Sequence, residues 1–492
     1  MNPMLIFVAV FFPILAGALI PVFKFKERKF REIYIEVCVI ATSILVWVLL
    51  FNQPSGSFVF ARFTRDLTLG FKMDGLSMVF SGLVSFLWPL ASLYAFEYMT
   101  KEEHEDVFFM FYTMTYGVTL GIAFAQDMLT MYFFYELLTV VTVELVIHTL
   151  TREAILAARK YLYYSLGGAA FAFIGFIFLI QYGSTLEFTM GGVLDPSLTA
   201  GRENVLLLVY VMAFFGFGVK AAVCPFNSWL PTAGVAPTPV TALLHAVAVV
   251  KAGAFAIIRL TYYSFGTDFL KGTWAQRVTM GVVIFTIVYG CSRAVKETHL
   301  KRRLAYSTIS NLSYIIFGAL IMTPAGLIGA LAHLVIHAIM KICSFFCAGA
   351  IIHQTEKTYV HQLDGLARRM PVIFTIFTVS ALSLMGVPGM AGFISKWNLA
   401  KAAVASMDVE AYIGIGALLV SALLTAIYMM SIVIRGFFPD KDFDYETIKE
   451  YTDPNWKMVV PLSIFAVILV IFGLHSGPLI DFLTAVANGV LD

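Results

Sequence analysis

The stretch YVMAFFGFGVKAAVCPFNSWLPTAGVAPTPVTALLHAVAVVKAGAFAIIR, residues 210–259, decides how the rest of the chain is read. It opens as an apolar helix carrying one lysine, Lys220, and passes through backbone broken by Pro225, Pro231, Gly234, Pro237 and Pro239. It resumes as a second apolar helix carrying His245 and Lys251. An ionisable side chain inside a membrane helix is costly unless it faces a bundle interior or water, so its presence marks function by default. Proline-broken backbone at membrane depth survives only where it is buried in protein or lines a wet cavity, and such interruptions accompany ion and substrate paths. The stretch reads as part of an ion path.

The rest of the chain supports a membrane setting. Of its 492 residues 60% are hydrophobic and only 13% charged, and apolar runs recur near the length of ~20 residues that crosses a bilayer. The net charge of +2, spread over loops, excludes a nucleic-acid stripe. Cys38, Cys224, Cys291, Cys343 and Cys347 lack CxxC spacing, so neither a disulfide framework nor a metal or iron–sulfur site is expected. The first apolar run has no basic leader and no small-residue cleavage site, which predicts a retained helix.

About fourteen transmembrane helices are predicted, an all-α polytopic membrane protein. The loop 52–73 alternates polar and β-prone residues and predicts a small hairpin outside the bilayer. The fifth span, from Met128 to Leu150, carries Glu136 and Glu144, and TREAILAARK after it reads as an amphipathic surface link to a sixth span starting at Tyr161. The twelfth span starts at Pro371, breaks at Gly386, Pro388 and Gly389, and resumes before Lys396; a single last span runs from Met458 to Leu483. With the N-terminus outside, twenty-one of the 33 basic residues fall in cytoplasmic loops and eight, among them Arg65 and Arg259, in outer loops. That bias places both termini outside the cytoplasm. The other four, Lys220, Lys251, Lys341 and Lys396, lie inside spans, where the acids counted are Glu136 and Glu144. Four lysines against two glutamates leave some unpaired, and desolvation favours the neutral amine, so some are expected to exchange protons.

Four segments follow: 1–106 with three helices and the hairpin, a repeat over 107–262, a second over 263–438, and 439–492 with a cytoplasmic loop and the last helix. Each repeat combines a lysine with a Pro/Gly interruption, and FNSWL at 226–230 is echoed by FISKWNL at 393–399. Helix counting starts the two five-helix units on opposite sides of the membrane, as inverted repeats with a site at the midplane require. His333, His337 and Lys341, spaced i, i+4, i+8, share one helix face.

These residues resemble the antiporter-like membrane subunits shared by respiratory complex I, membrane-bound hydrogenases and Mrp cation/proton antiporters. The resemblance rests on MDGLS at 73–77, FYELLTV at 134–140, residues 219–253, KRRLAYSTISNLSYI at 301–315, residues 333–352, LDGLARRMP at 363–371 and GVPGMAGFISKW at 386–397. It implies that Glu136 and Lys220 form the ion pair of a first half-channel and that Lys251 leads from it toward the centre. It further implies a connecting axis of His333, His337 and Lys341, with Lys396 as the lysine of a second half-channel. The partners implied are other membrane subunits, including further antiporter-like ones, with protons and possibly sodium as cargo. Glu144 reads equally as a partner of His148 or as a relay group, and His245 as a relay or packing residue. The chain lacks the long lateral helix of the distal complex I member, which makes it more like the shorter members that sit between neighbours.

An ion-translocating subunit is thus the leading reading, set against a self-contained solute transporter and a mere scaffold. With no Rossmann fingerprint, P-loop, haem motif or cysteine cluster, no cofactor is expected in this chain, and any energy source is expected in partner subunits. The orientation is directly testable. A cysteine in KFKERKFR at 24–31 should react with an impermeant maleimide only once the cytoplasmic face is opened, whereas one replacing Ser55 should label in intact cells; the reverse pattern overturns the topology.

Overall fold

The computed structural model describes residues 2–64 and 67–491, so Arg65 of the outer-loop tally lies outside the described residues. The helices in chain order are α1 (Met4–Phe23), α2 (Arg28–Asn52), α3 (Gly75–Tyr98), α4 (Glu105–Ala123), α5 (Met128–Ile147), α6 (Arg152–Tyr182), α7 (Glu203–Lys220) and α8 (Thr238–Phe265). There follow α9 (Trp274–Lys296), α10 (Leu300–Leu320), α11 (Pro324–Thr355), α12 (Pro371–Met385), α13 (Ala391–Ser406), α14 (Val409–Phe437), α15 (Trp456–Leu474) and α16 (Gly477–Ala487). Between α2 and α3 the expected hairpin forms from β1 (Ser57–Arg62) and β2 (Thr68–Lys72), antiparallel with a register shift between Val59 and Ala61.

Among the described residues twelve helices are long and apolar enough to cross a bilayer, which makes this a multi-pass membrane protein. The helix α10, with Lys301, Arg302 and Arg303 in its first turn, and the half-length pair α12 and α13 stand outside that set. The expected count of fourteen rests on how these are scored.

Two boundaries differ from expectation. TREAILAARK is no separate surface link but the start of α6, capped by Thr151, which accepts from the Ala154 amide. Buried Ala154, Ala157, Ala158 and Tyr161 make a stripe at helical spacing that runs straight into the span, so nothing breaks the helix at residue 160. The last span is two helices, because α15 stops at His475 and α16 restarts at Gly477 with Pro478 in its first turn.

The centre of the bundle is built by α8 and α11. Every residue of α8 is buried, and so is most of α11, which is packed by α3, α8, α10, α12, α13, α15 and α16. Helices this apolar all round belong in an interior. The helix α8 carries two π-helical segments, Leu243–Val247 and Arg259–Phe265; such bulges free backbone groups and re-aim side chains.

The second π segment corrects the charge tally. Arg259 is in no outer loop; it is fully buried and forks onto Asp74, with Nη1 2.5 Å from Oδ2 and Nη2 2.8 Å from Oδ1. Asp74 is also the N-cap of α3, joined to Ser77 in a capping box. One carboxylate therefore ties the start of α3 to the end of α8. Lys301 and Arg303, read as loop residues, are likewise buried at the start of α10, where Lys301 donates to the Ala236 carbonyl and Arg303 to the carbonyls of Glu297 and Tyr428.

Removing one member of a buried pair strands the other charge, at a cost of about 3–5 kcal/mol. Arg259→Met should therefore lower the thermal unfolding midpoint of the detergent-solubilised chain sharply, and adding Asp74→Asn should recover part of the loss. Equal midpoints for Arg259→Met and wild type would show that the pair does not hold these helices together.

Candidate functional site

The first cluster lies where α7 ends. Proline at 225, preceded by a cis peptide bond, and left-handed Ala222 (φ 56°) stop the helix just after Lys220. The Val219 carbonyl, which Val223 passes over to reach Gly218, accepts from the Ala222 amide at 3.1 Å and from the Trp229 indole at 2.8 Å. Pro231 sits in the short turn Trp229–Thr232, while Pro237 and Pro239 start α8. A Cβ on Gly253 would meet the Ala221 backbone nitrogen at 2.4 Å, so glycine lets α8 press directly against the break. The Lys220 side chain is 1% exposed; its Nζ donates to the Tyr135 carbonyl, stands 3.4 Å from the Tyr135 ring centroid and is 3.9 Å from Glu136 Oε1. The expected Glu136–Lys220 pair is present but long, and Glu136 stays 25% exposed on the outer side of α5.

The central cluster is buried and spans three helices. Lys251 Nζ lies 2.5 Å from His337 Nδ1, the rings of His337 and His333 stack 5.5 Å apart, and His333 Nδ1 is 2.9 Å from Ser395 Oγ on α13. All four are buried. A contact between two nitrogens needs a lone pair on one of them, so Lys251 and His337 hold a transferable proton between them. Lys341 departs from the expected row. Its Nζ turns to α10, donating to Ser307 Oγ at 2.6 Å and the Leu304 carbonyl at 3.2 Å. Lys341 and His337 share a helix face, yet no hydrogen bond joins them among the described residues. His245 sits in the first π segment beside the Leu230 carbonyl and against the Phe345 ring, centroids 4.8 Å apart, and neither ring nitrogen reaches a partner at good geometry.

At the second break α12 ends on Gly386 (φ 86°), Pro388 follows, and Gly389 (φ 88°) turns the chain into α13; two positive φ values in four residues suit glycine. Lys396 reaches back and donates to the carbonyls of Leu384 at 2.6 Å and Met385 at 3.1 Å. A cation on the last carbonyls of a helix is favoured by the helix dipole. Lys396 is half-buried and stands over the Tyr314 ring, 5.5 Å from its centroid. The two breaks are alike in having a side chain from beyond the break donate to a carbonyl of the helix end, and unlike in that the lysine performs this only at the second.

Glu144 joins neither cluster. It is exposed on α5 with no ion pair among the described residues, and His148 bonds the Glu103 carbonyl instead. The acids inside helices also include Glu36 on α2 and Glu97 on α3, which the charge count passed over; Glu36 Oε2 is buried without a hydrogen-bond partner. Sequence reading also missed Ser395 and Ser307. Their only signal was a hydroxyl within a helix of the bundle.

The chain has known relatives. Residues 125–425 match the family described as NADH:quinone oxidoreductase/Mrp antiporter, TM, and residues 62–109 match NADH-Ubiquinone oxidoreductase (complex I), chain 5 N-terminus. The chain is 28% identical over 502 residues to Na(+)/H(+) antiporter subunit A1 of Staphylococcus aureus (strain MRSA252), covering 96% of this chain and 61% of that protein. It is 28% identical to the putative antiporter subunit mnhA2 of Staphylococcus saprophyticus, covering 92% and 60%. The chain thus spans about three fifths of the length of the curated relatives it matches. Its fold matches a chain of the membrane-bound sulfane sulfur reductase, an archaeal respiratory membrane complex, at TM-score 0.84 and 20% identity, covering 99% of this chain and 98% of that one. It matches a chain of the Mrp complex from Dietzia sp. DQ12-45-1b at TM-score 0.84 and 20% identity, covering 100% and 98%. With the family model spanning most of the chain across both breaks and the central cluster, this protein belongs to the NADH:quinone oxidoreductase/Mrp antiporter family of membrane proteins.

Proposed function

We propose that this chain is an ion-translocating, antiporter-like subunit of a multisubunit membrane complex, moving protons, or sodium against protons, through two half-channels joined at the bundle centre. The observation that carries the reading is the buried run Lys251–His337–His333–Ser395, which links α8 to α13 across α11 by two close polar contacts and, between the histidines, a ring stack. A scaffold has no use for two unneutralised lysines and two histidines in its driest part. Glu136 and Lys220 serve as the first half-channel, partly open at Glu136, and Lys396 as the second. The units 107–262 and 263–438 act as inverted repeats around this run, in the cell membrane with both termini outside. The names of the relatives support partner subunits: one is a subunit of a Na(+)/H(+) antiporter, and the matched structures are of complexes. The power source belongs to those partners.

Glu136 acts by trading ion pairing with Lys220 for its own protonation, a trade a neutral amide cannot make. Glu136→Gln in the reconstituted complex should therefore slow coupled transport about tenfold or more, and undiminished transport would remove Glu136 from the path.

Lys396 is tested by charge-conserving replacement. Arginine keeps the cation over the α12 carbonyls, but a guanidinium does not release its proton in a protein. Lys396→Arg should therefore assemble normally and lose about a hundredfold in ion flux measured in proteoliposomes. Flux at the wild-type rate would reduce Lys396 to a helix cap.

A further inference from the structure

Lys341, turned away from the histidines, touches the first member of a second buried polar file. Ser307 Oγ is 2.7 Å from the Tyr428 hydroxyl, which is also 3.1 Å from Thr425 Oγ1. Cys291 Sγ lies 3.8 Å from Thr425 Oγ1, 2.8 Å from Ser421 Oγ and 3.0 Å from Ser310 Oγ, and the two serine hydroxyls are 3.1 Å apart. Beyond them the Tyr314 hydroxyl donates to the Leu418 carbonyl at 3.4 Å with Ser421 beside it, while the Tyr314 ring packs on His333, centroids 5.1 Å apart, and under Lys396. Every member is essentially fully buried, and the file is built from α9, α10 and α14, outside the α8–α11–α13 run. Buried hydroxyls need only one partner each, and packing alone gives no reason to string five of them and a thiol from one lysine toward another.

We propose that protons pass between Lys341 and the Lys396 end of the site through Ser307, Tyr428, Thr425, Cys291, Ser421 and Tyr314, so that the central run has a parallel branch. This rests on the ion-path reading above. In each step a hydroxyl or thiol gives its hydrogen to the next oxygen, sulfur or nitrogen as it takes one from the group before. O–H, S–H and N–H bonds broken equal those formed, and the net result is one proton added at one end and one released at the other. The thiol joins Thr425 to Ser421, whose hydroxyls do not meet directly. At Tyr314 a swing of the flexible lysine or one water spans the last gap to Lys396. The branch gives Lys341 an exchange partner that its own helix denies it.

The test uses the assembled complex in proteoliposomes and four variants. Valine matches cysteine in shape and cannot carry a proton, whereas serine can, so Cys291→Val should slow flux about tenfold while Cys291→Ser stays severalfold faster than the valine variant. Tyr428→Phe, which keeps the ring and loses the hydroxyl, should slow flux like Cys291→Val and abolish the share of the solvent deuterium isotope effect carried by the branch. If Tyr428→Phe fails to assemble, the serine–valine split at Cys291 decides. Wild-type flux in Cys291→Val, or equal rates for the serine and valine variants, overturns the branch. Lys396→Arg separates the two readings: if it stalls while Cys291→Val and Tyr428→Phe run at the wild-type rate, only the branch is wrong, and if it too runs at the wild-type rate, Lys396 is a helix cap and the second half-channel falls with the branch.

Discussion

A helix broken at membrane depth strands carbonyls that no water can satisfy, and this protein breaks helices on both sides of its centre. The cost of an unmade hydrogen bond in an apolar interior is large enough that each stranded group must find a protein donor. At the end of α7 the Ala222 amide and the Trp229 indole both donate to the Val219 carbonyl; at the end of α12 Lys396 donates to the carbonyls of Leu384 and Met385. Trp229 is drawn back over Val219 and thereby folds the loop after Lys220 into the bundle, while Lys396 is held at the mouth of the second break by the carbonyls it caps.

The same constraint explains why the interior charges are distributed as they are. Arg259 and Asp74 satisfy each other completely and lock α3 to α8, which makes them structural. Lys251 and Lys341 have no carboxylate; they rest on a histidine nitrogen and on a serine hydroxyl. A charge held by neutral partners is held weakly enough to leave, since losing the proton strands no counter-ion. Arg259 thus has a carboxylate where Lys251 and Lys341 have only neutral partners, although all three are buried. Of the π-helical segments of α8, one re-aims His245 inward and the other turns Arg259 toward Asp74.

Contact geometry also separates residues that spacing makes equivalent. His333, His337 and Lys341 lie on one face of α11, yet the two histidines stack on each other and reach α8 and α13 while Lys341 leans to α10. Four flexible methylenes let a lysine sample neighbours on either side, and the nearest good acceptors, Ser307 Oγ and the Leu304 carbonyl, belong to α10.

The sequence by itself determined the membrane class, the hairpin, both breaks and the residues around them, because bilayer thickness, the missing proline donor and glycine's access to positive φ act locally and leave marks in composition and spacing. It also placed Lys220, Lys251, Lys341 and Lys396 inside spans, since charge inside a long apolar run is conspicuous, but took the buried Lys301 for a loop residue. Only the tertiary structure decided who their partners are. Arg259 read as a loop cation because it sits at the end of an apolar run, and its partner Asp74 lies 185 positions away. Glu144 read as an interior acid because depth along a helix is legible, but the direction a side chain faces depends on which neighbours pack there, and α5 turns it outward. Ser307, Ser395 and Tyr428 gave almost no signal at all, for a hydroxyl in an apolar helix is commonplace and becomes part of a path only when other helices bring a lysine or a histidine within 3 Å of it.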